Sequence, residues 1–184
     1  MIKDDAATLV KQLRESFEDR LPANLRGRIT SPLDDPTHIR RRDFDIHRIR
    51  LLPVRKLPSR FWSSTWCFYE ISAGAFGGLP PGSLVARRPQ ILPVAQIQFF
   101  QAPNQKAIGG GHYRAPVEQI LRSAQAQRPD DWTFTPARPR SSDEGWAYQH
   151  LMRRYSAGEI GSVAEDLTWL IEQTLEQFAA MPGC

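Results

Sequence analysis

Residues 65–72 read TWCFYEIS and residues 91–100 read ILPVAQIQFF. Within each stretch apolar side chains recur at every second position, which is the repeat of a β-strand with one buried face. In the first strand Cys67, Tyr69 and Ile71 are expected to share one face, opposite to Trp66, Phe68, Glu70 and Ser72; in the second strand the residues expected to face the core are Ile91, Ala95, Ile97 and Phe99. Gln96 and Gln98 alternate with them and are expected to face outward. Two half-buried strands are therefore predicted at the centre of the chain, separated by a glycine-rich loop over residues 73–82.

Helical repeats lie on both sides of these strands. Apolar residues spaced three and four apart predict an amphipathic helix over residues 5–21 and another from Pro116 to the residue before Pro129. Ser162 and Glu165 form a capping-box pattern at the start of a third helix, and a similar pattern at Ser141 and Glu144 predicts a helix that includes Leu151 and Tyr155.

The order of helix, strands and helices predicts one α+β domain over residues 1–184. It has an N-terminal helix, a central antiparallel or mixed sheet and C-terminal helices. Residues 22–60 are expected to be a basic, proline-rich, irregular region containing one strand, 44–52, in which the apolar parity changes between Ile46 and Ile49 as it does at a bulge. Residues 116–181 are expected to be mainly helical, with a short strand over 132–135.

Composition restricts the class of protein. Apolar residues make up 41% of the 184 residues and charged residues 24%, which excludes a wholly disordered chain. No apolar run reaches the roughly 18 residues that a membrane span requires, and the charged N-terminus predicts no secretory signal. Two cysteines are too few for a disulfide framework. The expectation is a cytoplasmic protein without contact to a membrane.

The charge is distributed unevenly along the chain. The formal charge is +4, and 20 of the 24 cations are arginines. Residues 26–60 carry ten cations and four acids, whereas residues 158–184 carry five acids and no cation. The acidic segment is expected to be either the solvated face of a helix or a segment that packs against the basic one.

The main functional prediction follows from this basic segment. Guanidinium groups bind phosphate in a bidentate manner, and aromatic rings stack on bases. The sequence therefore predicts a non-enzymatic intracellular binding protein that contacts an acidic partner, either nucleic acid or protein. The residues expected to form the contact are Arg40, Arg41, Arg42, Arg48, Arg50, Arg55, Arg60, Trp62 and Trp66.

An alternative is a cysteine-dependent hydrolase, in which a histidine activates a thiol and an acid orients the histidine. Residues 110–115 read GGHYRA, which resembles the histidine box of ubiquitin-specific cysteine proteases. The residues offer Cys67 as the nucleophile and His112 as the base; the resemblance covers only the histidine box, since Cys67 lies in a predicted strand and the family's motif before the cysteine is absent. Asp130 or Asp131 is then the orienting acid.

A second alternative is a nuclease-like domain. Asp43 or Asp45 on one strand and Glu70 on the next could together hold a divalent metal. The order of helix, strand, strand and helix resembles the restriction-endonuclease-like superfamily, whose signature ends in Glu-x-Lys. Ser72 stands here in place of the lysine. The resemblance implies a degenerate domain that binds without cleaving.

The sequence indicates no cofactor, structural metal or small-molecule ligand. The four histidines are scattered and have no partner at zinc spacing, and there is no phosphate-binding loop motif. Trp169, beside the stripe formed by Leu167 and Ile171, either widens the core-facing side of its helix or anchors a partner. The oligomeric state stays open.

Overall fold

The computed structural model describes residues 3–31, 35–41, 44–53, 67–76, 94–101, 114–136 and 149–180. Its elements, in chain order, are α1 (Lys3–Arg20), β1 (Ile29–Thr30), β2 (Thr37–Arg41), β3 (Phe44–Pro53), β4 (Cys67–Phe76), β5 (Ala95–Gln101), α2 (Arg114–Gln127), β6 (Thr133–Thr135), β7 (Gln149–Tyr155), a 3-10 helix (Ala157–Ser162) and α3 (Val163–Ala179). The predicted α+β fold with an N-terminal helix, a central sheet and C-terminal helices is confirmed.

The described strands form one antiparallel sheet in the order β1-β3-β4-β5-β7-β6, and β2 also pairs with β3, on the same edge as β1. The alternative of a mixed sheet is therefore wrong for these strands. Strands β4 and β5 alternate as predicted, since Tyr69, Ile71, Ile97 and Phe99 are fully buried.

We call the side of the sheet that packs on the helices the inner face. Tyr69 forms a hydrogen bond of 2.7 Å with Thr174 of α3, and the Phe99 ring stacks on Phe178 of α3 at 4.6 Å. Val10 of α1 belongs to the same core. These contacts bury one face of the sheet under α1 and α3, with α2 beside them.

We call the opposite side the outer face. No described helix packs on it. Its described side chains, assigned from the strand register, include Ile46, Arg48, Arg50, Phe68, Glu70, Ser72, Gln96, Gln98, His150, Met152 and Arg154. Ile46 and Phe68 are buried but do not belong to the main hydrophobic core.

The predicted bulge in β3 is wrong. Strand β3 pairs with β4 in one unbroken register from Phe44 opposite Phe76 to Leu51 opposite Tyr69, so Ile46 and Ile49 point to opposite faces. Strand β4 continues through Gly74, where a loop was expected. A Cβ atom on Gly74, at φ +130°, would lie 2.4 Å from the carbonyl oxygen of Asp45. Glycine therefore allows the close approach of the two strands.

The helix predicted over residues 141–155 is wrong at its C-terminal end, because Gln149–Tyr155 is strand β7. Ser141 and Glu144 lie outside the described residues. Leu151 and Tyr155, four apart, fit a helix and a strand equally well. Arg153 also points inward, and its charge hides the alternation. Helices make up most of the described residues within 116–181, and β6 is the short strand predicted there, so β7 is the departure from the expectation.

Helix α3 begins as predicted, but its capping differs. Ser162 has helical backbone angles and its hydroxyl donates to the carbonyl oxygen of Glu159 at 2.9 Å. The box lies one turn earlier, where the Glu159 carboxylate accepts bonds from the Ser156 backbone N–H at 2.9 Å and the Ser156 hydroxyl at 2.6 Å. These two bonds lower the pKa of Glu159.

None of the described helices combines the length and apolar character of a membrane-crossing helix.

Candidate functional site

The predicted binding arginines whose side chains the structure describes lie on two faces of the sheet. Arg48 and Arg50 lie on the outer face of β3. Arg40 is opposite Asp45 and has the parity of the other face, with its side chain 71% exposed and its Nε atom 4.0 Å from Asp45 Oδ2. The backbone of Arg41 ends β2 opposite Phe44. The remaining members of the set lie outside the described residues; they are Arg42, Arg55, Arg60, Trp62 and Trp66.

Arg48 and Arg50 converge on a buried carboxylate, Glu70, in the neighbouring strand β4. Glu70 Oε2 lies 3.3 Å from Nε of Arg50 and 3.4 Å from Nη1 of Arg48. The other oxygen, Oε1, accepts hydrogen bonds from the Ser72 hydroxyl at 3.0 Å and from Nε2 of Gln98 at 3.1 Å. Both carboxylate oxygens are thus fully occupied. These five residues are called the Glu70 cluster below.

The two arginines of the Glu70 cluster are partly open to solvent, whereas the carboxylate is closed. The Glu70 side chain is 3% exposed, Arg48 26% and Arg50 37%. The Arg50 guanidinium also lies over the Phe68 ring, with Cζ 4.1 Å from the ring centroid. Arg50 is therefore fixed at two points, by a carboxylate at Nε and by an aromatic ring on one side of its plane.

The outer face carries a net positive charge. The register places Arg48, Ser72, Gln96 and Arg154 in one row across four strands. The described charged side chains of this face are three arginines, counting exposed Arg154, and one acid, Glu70, so that their formal sum is +2. A positive surface of this kind attracts anions.

A second buried carboxylate, Asp166, lies on the helical side of the sheet. Its Oδ1 is 2.8 Å from Nη1 of Arg128, and its Oδ2 is 3.0 Å from Nη1 of Arg153 and 3.1 Å from the Tyr155 hydroxyl. Arg153 also contacts Asp131 at 3.1 Å. These five residues form the Asp166 cluster. Burial and the nearby Asp166 carboxylate raise the pKa of Tyr155, which therefore stays a hydrogen-bond donor.

The catalytic alternative gains no support from these positions. Cys67 is 1% exposed and belongs to the hydrophobic core, where a substrate does not reach its thiol. Asp131 is engaged by Arg153 in the Asp166 cluster. His112 lies outside the described residues. A buried thiol among apolar neighbours is typical of a structural cysteine.

The expected metal pair is wrong for Asp45 and Glu70. The register puts them on opposite faces of the sheet. Asp45 Oδ1 instead lies 2.6 Å from Nε2 of His38, whose ring stacks on His47 with centroids 4.4 Å apart. Asp43 lies outside the described residues. The described part of the chain holds no group of three or more acidic, histidine or cysteine side chains arranged for a metal.

The acidic C-terminal segment is partly neutralised by other parts of the chain. Glu176 forms an ion pair with Arg28, which belongs to the basic segment, and Asp166 is held by Arg128 and Arg153. The expectation that the two charged segments pack together is confirmed for Arg28 and Glu176. Glu165 and Glu172 are exposed, as on a solvated helix face.

Trp169 is partly buried and packs against the hydrophobic core. Its ring lies 5.2 Å from the Trp132 ring, and the Arg128 guanidinium covers it at 4.4 Å. Trp169 thus widens the core-facing side of α3, the first of the two expectations.

Comparison of the chain with protein-family models, with curated proteins and with solved structures gave no match. Sequence reasoning missed that Glu70 joins Arg48 and Arg50. The alternating arginines of β3 were the available signal. The strand register that brings them to Glu70 cannot be deduced from the sequence of β3 or of β4 alone.

Proposed function

We propose that the outer face of the sheet binds an acidic partner without chemical reaction, and that this partner is a nucleic acid. The observation that carries the proposal is the Glu70 cluster, in which a buried carboxylate holds two partly exposed arginines on a face with a formal charge of +2. Guanidinium groups match the geometry of phosphate oxygens, and nucleic acids present these oxygens in a regular series.

The arrangement of the sheet supports the choice of this face. The described helices cover the inner face, and their buried surface is apolar. On the outer face the side chains of Arg48, Arg50, Gln98 and Arg154 reach solvent, whereas Ser72 and Gln96 are buried beneath the two adjacent rows that continue from β3 to β7. Phosphate contacts fix the position of a protein on a nucleic acid and do not require base recognition. A nucleic acid partner agrees with the cytoplasmic location that the sequence predicts.

The test compares two double variants with equal loss of charge. R48A/R154A removes two arginines from the outer face, and R14A/R122A removes two from helices α1 and α2, where they pair with Glu18 and Glu118. Binding of a fluorescein-labelled single-stranded oligodeoxynucleotide is measured by anisotropy between about 50 and about 200 mM salt. We expect R48A/R154A to weaken binding and to reduce the salt slope by about 0.7 for each lost contact.

The control R14A/R122A is expected to keep the affinity and the salt slope of the unmodified chain. Equal losses in both variants would mean that net charge alone drives binding, and the proposal of a specific face would fail. A different outcome is that the chain binds no oligonucleotide at low salt but binds an acidic protein, and that poly-glutamate competes for this binding. That outcome would show that the partner is an acidic protein and not a nucleic acid.

A further inference from the structure

The contacts of the buried Glu70 carboxylate join few elements of the fold that are not already joined. Its partners come from β3, β4 and β5, three neighbouring strands that their backbone hydrogen bonds already join. The Asp166 cluster, by contrast, connects β7, α3 and Arg128, the residue that follows α2, through side chains. A buried ion pair is often no more stabilising than apolar residues of the same size. The Glu70 cluster therefore needs another explanation than stability.

The geometry of Arg50 supplies one. Within the described part of the chain, Glu70 contacts Arg50 at Nε, so that the hydrogens of its two terminal Nη groups remain for another acceptor. Phe68 supports the guanidinium plane at 4.1 Å. A side chain already fixed in this way loses less conformational entropy when it binds, and the two Nη groups match two oxygens of one phosphate.

We infer that Arg50 binds a single phosphate group through its Nη1 and Nη2 atoms, and that Glu70 and Phe68 are positioning residues for this contact. The inference rests on the proposed function and deepens it, because it names the backbone phosphodiester as the group recognised. Arg48, on the other side of Glu70 Oε2, adds positive charge at the same point.

The first test separates geometry from charge by exchanging arginine for lysine. Arg122 is a matched control, because its Nε lies 2.8 Å from Glu118 and its Cζ lies 4.5 Å from the Phe134 ring, on the helical side of the protein. R50K keeps the charge but loses the fork, and we expect about tenfold weaker oligonucleotide binding at an unchanged salt slope. R122K is expected to leave binding unchanged. Equal affinity of R50K and the unmodified chain would overturn the inference.

The second test uses the sign of the effect at Glu70. E70Q makes the outer face more positive by one charge, so simple electrostatic attraction predicts tighter binding of the oligonucleotide. Loss of the carboxylate that holds Arg50 predicts weaker binding, by about threefold to tenfold. Tighter binding by E70Q would exclude a positioning role. If E70Q only disturbs folding, its circular dichroism spectrum will differ from that of the unmodified chain. F68L then tests the positioning of Arg50 without altering any charge, and weaker oligonucleotide binding is again expected.

These results distinguish the two proposals. If R48A/R154A loses binding while R50K and E70Q retain it, the outer face binds nucleic acid but Arg50 is not its phosphate fork. If the unmodified chain binds no oligonucleotide, both proposals fail.

An oligonucleotide with methylphosphonate linkages identifies the recognised group, since neutral linkages should abolish the difference in affinity between R50K and the unmodified chain. A difference that persists would show that Arg50 contacts another part of the nucleic acid.

Discussion

The two faces of the sheet each hold a buried carboxylate between two arginines, but they differ in what these groups join. Asp166 has Arg128 at 2.8 Å and Arg153 at 3.0 Å, and these side chains are 32% and 14% exposed, so that the difference between the clusters lies in Arg153. Glu70 has longer contacts, and its arginines are 26% and 37% exposed. The inner cluster therefore behaves as part of the core, and the outer cluster as a surface organised by one buried charge.

The comparison shows that similar ion pairs can have different roles. At Asp166 the arginines come from β7 and from the residue that follows α2, and the Tyr155 hydroxyl of β7 donates to the same carboxylate. Removal of the Asp166 carboxylate leaves the buried charge of Arg153 with fewer negative groups to balance it. At Glu70 the arginines can turn towards water after the same change. The exposure of the partner side chains, and not the number of contacts, decides how much stability is lost when the carboxylate is removed.

The largest effect is expected at Asp166. D166N removes the charge that holds Arg128 and Arg153 while preserving the size of the side chain. We expect the free energy of unfolding to fall by about 3 to 5 kcal/mol, as for other buried pairs that lose one partner. Urea denaturation measures the change. If D166N lowers the free energy of unfolding by less than E70Q does, Asp131, the other acid near Arg153, is sufficient to balance the charge of Arg153.

A pH effect is expected next, from His150 on the outer face. Burial, with a smaller effect of Arg154, lowers the pKa of His150 from 6.5 to about 4. The unfolded chain then binds a proton that the folded chain does not, so stability falls as the pH decreases from 6.5 to 4, by about 3 kcal/mol. The difference in unfolding free energy between the unmodified chain and H150Q should change through this range. Parallel pH profiles would contradict the assignment.

A smaller effect on stability is expected at Glu70. E70Q should lower the free energy of unfolding by about 1 kcal/mol, because Arg48 and Arg50 can regain hydration and Ser72 and Gln98 still find an amide oxygen. The same urea experiment gives the value. A loss as large as that of D166N would make the two clusters equivalent and would remove the main reason for assigning function to the outer one.

The smallest effect is expected at Glu176, which pairs with Arg28 at the surface. The Glu176 side chain is 64% exposed, and solvent and salt screen such pairs. E176Q should change the free energy of unfolding by less than about 0.5 kcal/mol, and high salt should remove the difference. A larger change would mean that this pair, and not only the Asp166 cluster, fastens the basic and acidic segments together.

Sequence patterns were sufficient where the signal is local. The alternation predicted which residues of β4 share a face and which face of β5 is buried, and the helical repeats predicted α1, α2 and α3. Strand β7 was missed because Arg153 occupies an inward position. Its charge is acceptable there only because Asp131 and Asp166, from other elements, lie beside it. A local pattern does not contain that information.

The sequence by itself determined the class of fold, since the period of apolar residues decides whether a segment buries its side chains as a helix or as a strand. The tertiary structure decided which charges meet. Arg50 and Glu70 are 20 residues apart, Arg128 and Asp166 are 38 apart, and Arg28 and Glu176 are 148 apart. Arg40 and Arg48 are close in sequence but lie on different faces. Strand register and helix packing produce these relations, because electrostatic interactions depend on distance in space and not along the chain.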